Sequence, residues 1–160
     1  MTGSVDTLAD AVGALVFKDS DADIHAGVDM VDLDEFRRIL ATGGEGFLAT
    51  VYTAQERAHC VGGLGRLATR FAAKEAATKA LGTGFRGIGP LDIEVVSEAN
   101  GLPGLVFHGP AHDRAQALGI TSVSVSLSDT RTAAVAFVVA FAAPKSTNEL
   151  SIPLQEESQL

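Results

Sequence analysis

The run Arg70-Phe71-Ala72-Ala73-Lys74-Glu75-Ala76-Ala77-Thr78-Lys79-Ala80-Leu81-Gly82-Thr83-Gly84 constrains this chain more than any other segment, because its charges fall where an ordinary amphipathic helix would not put them. At about 100° per residue, Leu67, Phe71, Lys74, Thr78 and Leu81 form one stripe, so an ammonium sits in the middle of the face a helix buries. Arg70 lies four residues before Lys74 and makes a like-charged neighbour. Such a pair costs a helix roughly 0.2–0.5 kcal/mol, a cost that an anion bound between the two cations would reverse. Glu75 and Lys79 have the spacing and order of a helix-surface ion pair. Gly82 ends the helix as a left-handed cap. The segment reads either as a phosphate and metal site or as a plain helix carrying a surface ion pair.

The 160 residues, 46% of them hydrophobic, suffice for one compact domain and are too few for two. Twenty acidic against twelve basic residues give a net charge of -8, which argues against a nucleic-acid binder that relies on a broad basic surface. Cys60 is the only cysteine, so no intrachain disulfide can form, and a reducing compartment, the cytoplasm, is the expectation. The longest apolar run, Ala133 to Ala143, falls short of the roughly 18 residues of a membrane span, and no basic segment precedes an apolar one at the N-terminus. Neither membrane insertion nor secretion is expected.

Along the chain, residues 1–23 hold a weak helical pattern, Val5, Leu8, Val12, Leu15 and Val16, and then an acidic linker, which together read as an appended extension. An apolar strand spans Ile24 to Val31. Asp32 and Glu35 then start a helix expected to reach about Leu40, where Gly43, Gly44 and Gly46 break it. Thr53 and Glu56 repeat the capping arrangement before a second short helix. Leu91 to Ser97 and Gly104 to Phe107 flank Asn100-Gly101 as a hairpin. A helix over Ala111 to Leu118 and strands over Thr121 to Leu127 and Ala133 to Phe141 complete a domain of residues 24–143. Residues 144–160 are polar and lack an apolar periodicity, so a disordered tail is expected.

Four signals in order, Gly27-Val28-Asp29, the F-x-x-K-E-x-x-x-K-A-L-G-T-G helix, the N-G-x-P turn at Asn100 to Pro103 and the V-S-V-S-L-S strand at Val123 to Ser128, resemble the holo-acyl-carrier-protein synthases, the small single-unit 4′-phosphopantetheinyl transferases. The resemblance spans Ile24 to about Phe141. It implies an α+β fold in which an antiparallel sheet packs against a long helix, and a homotrimer that shares its sites between subunits. The implied reaction moves the phosphopantetheine arm of coenzyme A to a serine of an acyl carrier protein, with Mg2+, releasing adenosine 3′,5′-bisphosphate. Charge neutralisation and positioning carry most of the catalysis in chemistry of this kind.

By the same resemblance, Asp29 and Glu75 hold the metal, while Arg70, Lys74 and Lys79 face phosphates, with Lys79 on the pyrophosphate and Arg70 toward the nucleotide. Gly82, Thr83 and Gly84 let backbone approach the coenzyme. Asp within an apolar strand is independently unusual, since it is a poor strand former. Two departures stand out. Asp129 occupies the place of a histidine that follows the serine-rich strand, where it would bind metal, act as base on the serine, or repel the pyrophosphate. The last of these would leave a degenerate relative that binds coenzyme A or the carrier without transfer. Leu102 replaces a basic residue in the N-G-x-P turn.

In the family the acidic carrier docks near the helix after the G-x-D strand. Here that helix offers Arg37, Arg38, Phe36 and Ile39, with Asp34 and Glu35 opposing, to a fatty-acid or polyketide carrier. His108 and His112, separated by Gly109-Pro110, are read as surface or packing residues rather than metal ligands.

Overall fold

The computed structural model describes residues 23–144, so the expectations for the N-terminal helix and the C-terminal tail lie outside the described residues. Strand β1 (Ile24–Asp32) leads directly into helix α1 (Leu33–Val51), whose N-cap Asp32 accepts hydrogen bonds from the Asp34 and Glu35 amides through Oδ1. The helix does not stop near Leu40. Of the three glycines only Gly44 leaves the helical region (φ 51°, ψ −143°), producing a kink rather than an end. Beyond the kink Phe47 packs edge-on against Phe36 and Tyr52 and tilted against Phe71, and this apolar contact keeps the second run folded.

Helix α2 (Ala54–His59) opens with the Thr53–Glu56 capping box that the spacing predicts. The long helix α3 (Leu64–Ala80) follows, then a 3-10 turn (Pro90–Asp92), the hairpin strands β2 (Ile93–Ser97) and β3 (Pro103–Phe107), helix α4 (Gly109–Ala117), and strands β4 (Ile120–Asp129) and β5 (Ala133–Ala142). The Asn100-Gly101 turn closes the hairpin with Gly101 at φ 83°.

The sheet is antiparallel, as expected, but divided. β1, β5 and β4 form one three-stranded sheet in that order, and β2 pairs only with β3. Ala72, Ala73, Ala76, Ala77 and Ala80 are buried where α3 lies on the three-stranded sheet, and small side chains bring the helix close to it. A second cluster, around Phe36, Val51, Tyr52 and Ala68, packs α1 against the start of α3.

The outer face of the three-stranded sheet is split chemically. Across β1 and β5 the exposed pairs Ile24–Phe141 and Val28–Phe137, with exposed Met30 opposite half-buried Val135, make an apolar band, whereas β4 turns Ser122, Ser124, Ser126 and Ser128 outward. Among the described residues no helix is long and apolar enough to cross a membrane.

Candidate active site

Side chains alternate along a strand, so Gly27 and Asp29 share the face of β1 that meets α3. A Cβ on Gly27 would lie 1.9 Å from the Ala76 carbonyl oxygen and 2.9 Å from the Ala80 amide nitrogen. The bare glycine lets α3 settle onto β1 at this point, and two residues later Asp29 meets Glu75 and Lys79, the neighbours of Ala76 and Ala80 on the same turns. Lys79 Nζ donates to Asp29 Oδ1 at 2.8 Å and to the Val28 carbonyl at 2.9 Å. The i,i+4 partner that spacing alone offered, Glu75, is thus passed over in favour of the strand.

Glu75 completes the group from the same face of α3. Partial burial, and then the neighbouring Asp29 charge, raise its carboxyl above the usual range, against the opposing pull of Lys79. Asp29, Glu75 and Lys79 line a cleft of about 340 Å³ with Asp32, Glu35 and Phe71. Two carboxylates that repel each other in an open, partly desolvated cleft suit a cation. Among the described residues no set of three histidine, cysteine, aspartate or glutamate side chains could hold one. That sparse all-oxygen donor set fits Mg2+, which usually keeps several waters and takes one or two carboxylates plus substrate phosphates.

Lys74 does not belong to this cleft, and the expectation that it faces a phosphate is corrected. Its ammonium is fully buried and donates to Glu56 Oε2 (2.8 Å), the Pro90 carbonyl (2.9 Å) and the Ile93 carbonyl (2.5 Å), so all three protons are engaged. Burial lowers its pKa, while the Glu56 carboxylate pulls the other way. Glu56 is the residue that sequence reasoning missed. Its capping box was legible, but one side chain also takes Lys74 and, through Oε1, the Val95 amide at 3.0 Å. Next to it, Glu94 accepts from Thr53 Oγ1 and pairs with His108 Nε2 at 3.0 Å. Burial raises the Glu94 carboxyl, but these hydrogen bonds together with the His108 and Lys74 charges outweigh it and hold the group below its ordinary value.

Asp129 also stands apart. A Cβ on Gly65 would meet its Oδ2 at 2.5 Å, so the carboxylate lies against the first turn of α3. Gly65 and Glu75 are separated by about 15 Å along the helix axis. Within one chain Asp129 therefore cannot serve as a base at the Asp29–Glu75 cleft. Arg70 shares the Asp129 half of the helix. It donates to the Arg66 carbonyl, and its Nε is buried without a hydrogen-bond partner among the described residues. An orphaned guanidinium nitrogen is costly and suits an anionic ligand.

The Gly82-Thr83-Gly84 loop lies beyond the other end of α3, immediately after Lys79. Gly82 and Gly84 have φ of 71° and 55°, and the Thr83 and Gly84 amides both donate to the Thr78 carbonyl. Lys74 apart, the sequence-predicted site residues thus fall into two groups. Asp29, Glu75, Lys79 and the glycine loop share one half of α3, and Arg70 and Asp129 share the other.

Comparison with known proteins bears on this arrangement. The family model of the 4′-phosphopantetheinyl transferase superfamily matches residues 25–139. The holo-[acyl-carrier-protein] synthase of Solidesulfovibrio magneticus is 50% identical over 115 residues, covering 71% of this chain and 94% of that protein. Among solved structures, the holo-[acyl-carrier-protein] synthase of Neisseria meningitidis superposes with a TM-score of 0.66 at 36% identity, covering 72% of this chain and 96% of that one. The Bacillus anthracis holo-(acyl-carrier-protein) synthase in complex with CoA (3′,5′-ADP) gives 0.61 at 30% identity, covering 74% and 96%.

Proposed function

The chain belongs to the 4′-phosphopantetheinyl transferase superfamily, and from that membership we propose that it converts an apo acyl carrier protein to its holo form. It transfers the 4′-phosphopantetheine group of coenzyme A to a carrier serine. The convergence of Asp29, Glu75 and Lys79 in one cleft is the observation that carries the reading.

Asp29 and Glu75 would hold Mg2+, which supplies positive charge to the pyrophosphate. Lys79, half-exposed and tethered only to β1, is free to turn its ammonium to a phosphate oxygen. The backbone of Gly82, Thr83 and Gly84 lets the ligand come close. The serine Oγ bonds to the pantetheine-side phosphorus, the phosphoanhydride bond breaks, and adenosine 3′,5′-bisphosphate leaves. The serine proton passes to a base.

The separation of Arg70 and Asp129 from this cleft supports a site shared between copies, in which a neighbouring subunit supplies Arg70 to the nucleotide and Asp129 as the base. A homotrimer formed through the outer sheet face meets that need. Met30 is 72% exposed and Val28 54%, beside Phe137 and Phe141, and an apolar band of this kind on a sheet face is an association surface. Light scattering should give a trimer for the native chain and a smaller species for Val28→Glu, with loss of transfer. A native monomer would rule the shared site out.

The carrier would dock on α1, with altered contacts. Phe36 is fully buried and is no docking residue, and Arg37 is already paired with Asp34. Arg38 and Ile39, which line a shallow groove with Thr42 and Phe47, remain for the acidic carrier. Arg38→Glu should raise the KM for carrier about tenfold and leave that for coenzyme A unchanged. An unaltered carrier KM would place the docking surface elsewhere. The single buried Cys60, kept as a thiol, suits a cytoplasmic setting.

The direct test is intact-mass spectrometry of an apo acyl carrier protein incubated with this chain, coenzyme A and Mg2+. A phosphopantetheine adduct is expected. Coenzyme A binding with no adduct on several carriers would make the chain a binding module instead.

A further inference from the structure

We infer that the buried Glu56–Lys74 pair is a positioning device for the glycine-rich arch after α3, and that it thereby sets affinity for coenzyme A; the inference rests on the transferase reading above. The arch hangs from two points on one face of α3. At its start the Thr83 and Gly84 amides donate to the Thr78 carbonyl at 3.1 and 3.3 Å. At its far end Lys74, one turn before Thr78, holds the Pro90 and Ile93 carbonyls. Between the anchors the backbone carries few bonds of its own, chiefly Arg86 N to the Thr83 carbonyl at 3.4 Å and Gly89 N to Asp92 Oδ2 at 2.6 Å. Gly84 and Gly87 both have positive φ. Ile88 is buried and acts as a middle peg, while Phe85 and Arg86 face solvent, the Arg86 guanidinium without a partner among the described residues.

Energetics favour a geometric role for the pair. A buried ion pair gains little over well-packed apolar side chains of similar volume, so stability alone gives no reason for it. What an apolar pair cannot do is bind carbonyls. Lys74 reaches two of them, on the first residue of the 3-10 turn and on the residue just after it, and Glu56 holds the ammonium in place while tying down the Val95 amide. The pair fixes three points of the segment that follows the arch, relative to the helix that carries Glu75 and Lys79. The Gly82 amide donates to the Lys79 carbonyl at 3.0 Å, so the arch backbone starts directly from the residue whose ammonium would meet a ligand phosphate. Misplacing that backbone by about 1 Å is enough to lose most of its contribution.

The double variant Glu56→Gln with Lys74→Met removes both charges at nearly constant volume. Thermal unfolding and circular dichroism should show a folded protein. The KM for coenzyme A and the Kd for adenosine 3′,5′-bisphosphate should each rise about tenfold, with kcat at saturating coenzyme A changed by less than about threefold. A folded double variant with native KM and Kd would overturn the inference and leave the pair a stability element alone. If the double variant does not fold, hydrogen exchange on the native protein decides. Coenzyme A should slow exchange of the amides from Thr83 to Gly89, and unchanged exchange there with the coenzyme bound would overturn the inference. A native chain that binds no coenzyme A would instead remove the transferase reading and the inference with it.

Discussion

Replacing Glu75 with alanine is expected to lower the rate of carrier modification by about three orders of magnitude or more, while the protein stays folded. Glu75 and Asp29 are the cleft carboxylates that face each other beside Lys79, and among the described residues no cluster of three or more candidate ligands, Asp32 and Glu35 included, could hold a cation in their stead. Losing Glu75 removes one of the two carboxylates that would hold the cation and leaves Asp29 paired with Lys79 alone. The fold has no comparable need of Glu75. Its pKa is raised in the folded state, so the ionised form is disfavoured there, and the cost grows as pH rises from the ordinary carboxylate range through the folded value. At neutral pH removal of the side chain should therefore leave the unfolding temperature unchanged or slightly higher. Glu75→Gln keeps the shape and should be as inactive as alanine, because the charge is what matters. Initial rates of holo-carrier formation by intact mass, with thermal unfolding beside them, test this. Turnover of either folded variant within tenfold of the native rate would exclude Glu75 from the reaction centre.

The two halves of the site were unequally legible in the sequence. Gly27-Val28-Asp29 could be read because a strand puts positions i and i+2 on one face, and the different, 3.6-residue period of a helix carries Glu75 and Lys79 along one side of α3. Lys74 shows the limit of such reading. Its position in an apolar stripe correctly marks burial, but periodicity gives faces and not partners. Its partners, Glu56 and two carbonyls after the helix, lie 16 to 19 residues away in sequence. The capping box disguised Glu56, since a residue with a sufficient local role invites no search for a distant one. Gly43, Gly44 and Gly46 look alike on paper, yet only Gly44 adopts a left-handed φ, because Phe47 finds the aromatic cluster and draws the chain back into helix. Strand β5 is apolar at every position, so alternation could not tell which side chains face outward. The structure turns Phe137 and Phe141 out and the small Ala134, Ala136 and Ala140 in, under the close-packed helix.

That close packing makes Gly27→Ala the most damaging single-methyl change expected here. The added Cβ would stand 1.9 Å from the Ala76 carbonyl oxygen, and 2.9 Å from both the Ala76 carbonyl carbon and the Ala80 amide nitrogen. All three are backbone atoms in the middle of α3, so no side-chain rotation relieves the contact. The helix must move off β1, and it is held there by a row of buried alanines with no slack. Overpacking of this kind costs about 3 kcal/mol, a large fraction of a domain's stability, and should lower the unfolding temperature by roughly 10 °C. The same movement separates Asp29 from Glu75 and Lys79, so transfer measured well below the unfolding temperature should fall about a hundredfold. Gly46→Ala is the matched control. Its Cβ would meet nothing within 4 Å and its φ is not positive, so it should raise stability by about 0.5–1 kcal/mol and leave activity intact. If Gly27→Ala unfolded within a degree or two of the native protein, the helix would have room to spare over β1. The spacing of Asp29 from Glu75 would then owe nothing to the missing side chain.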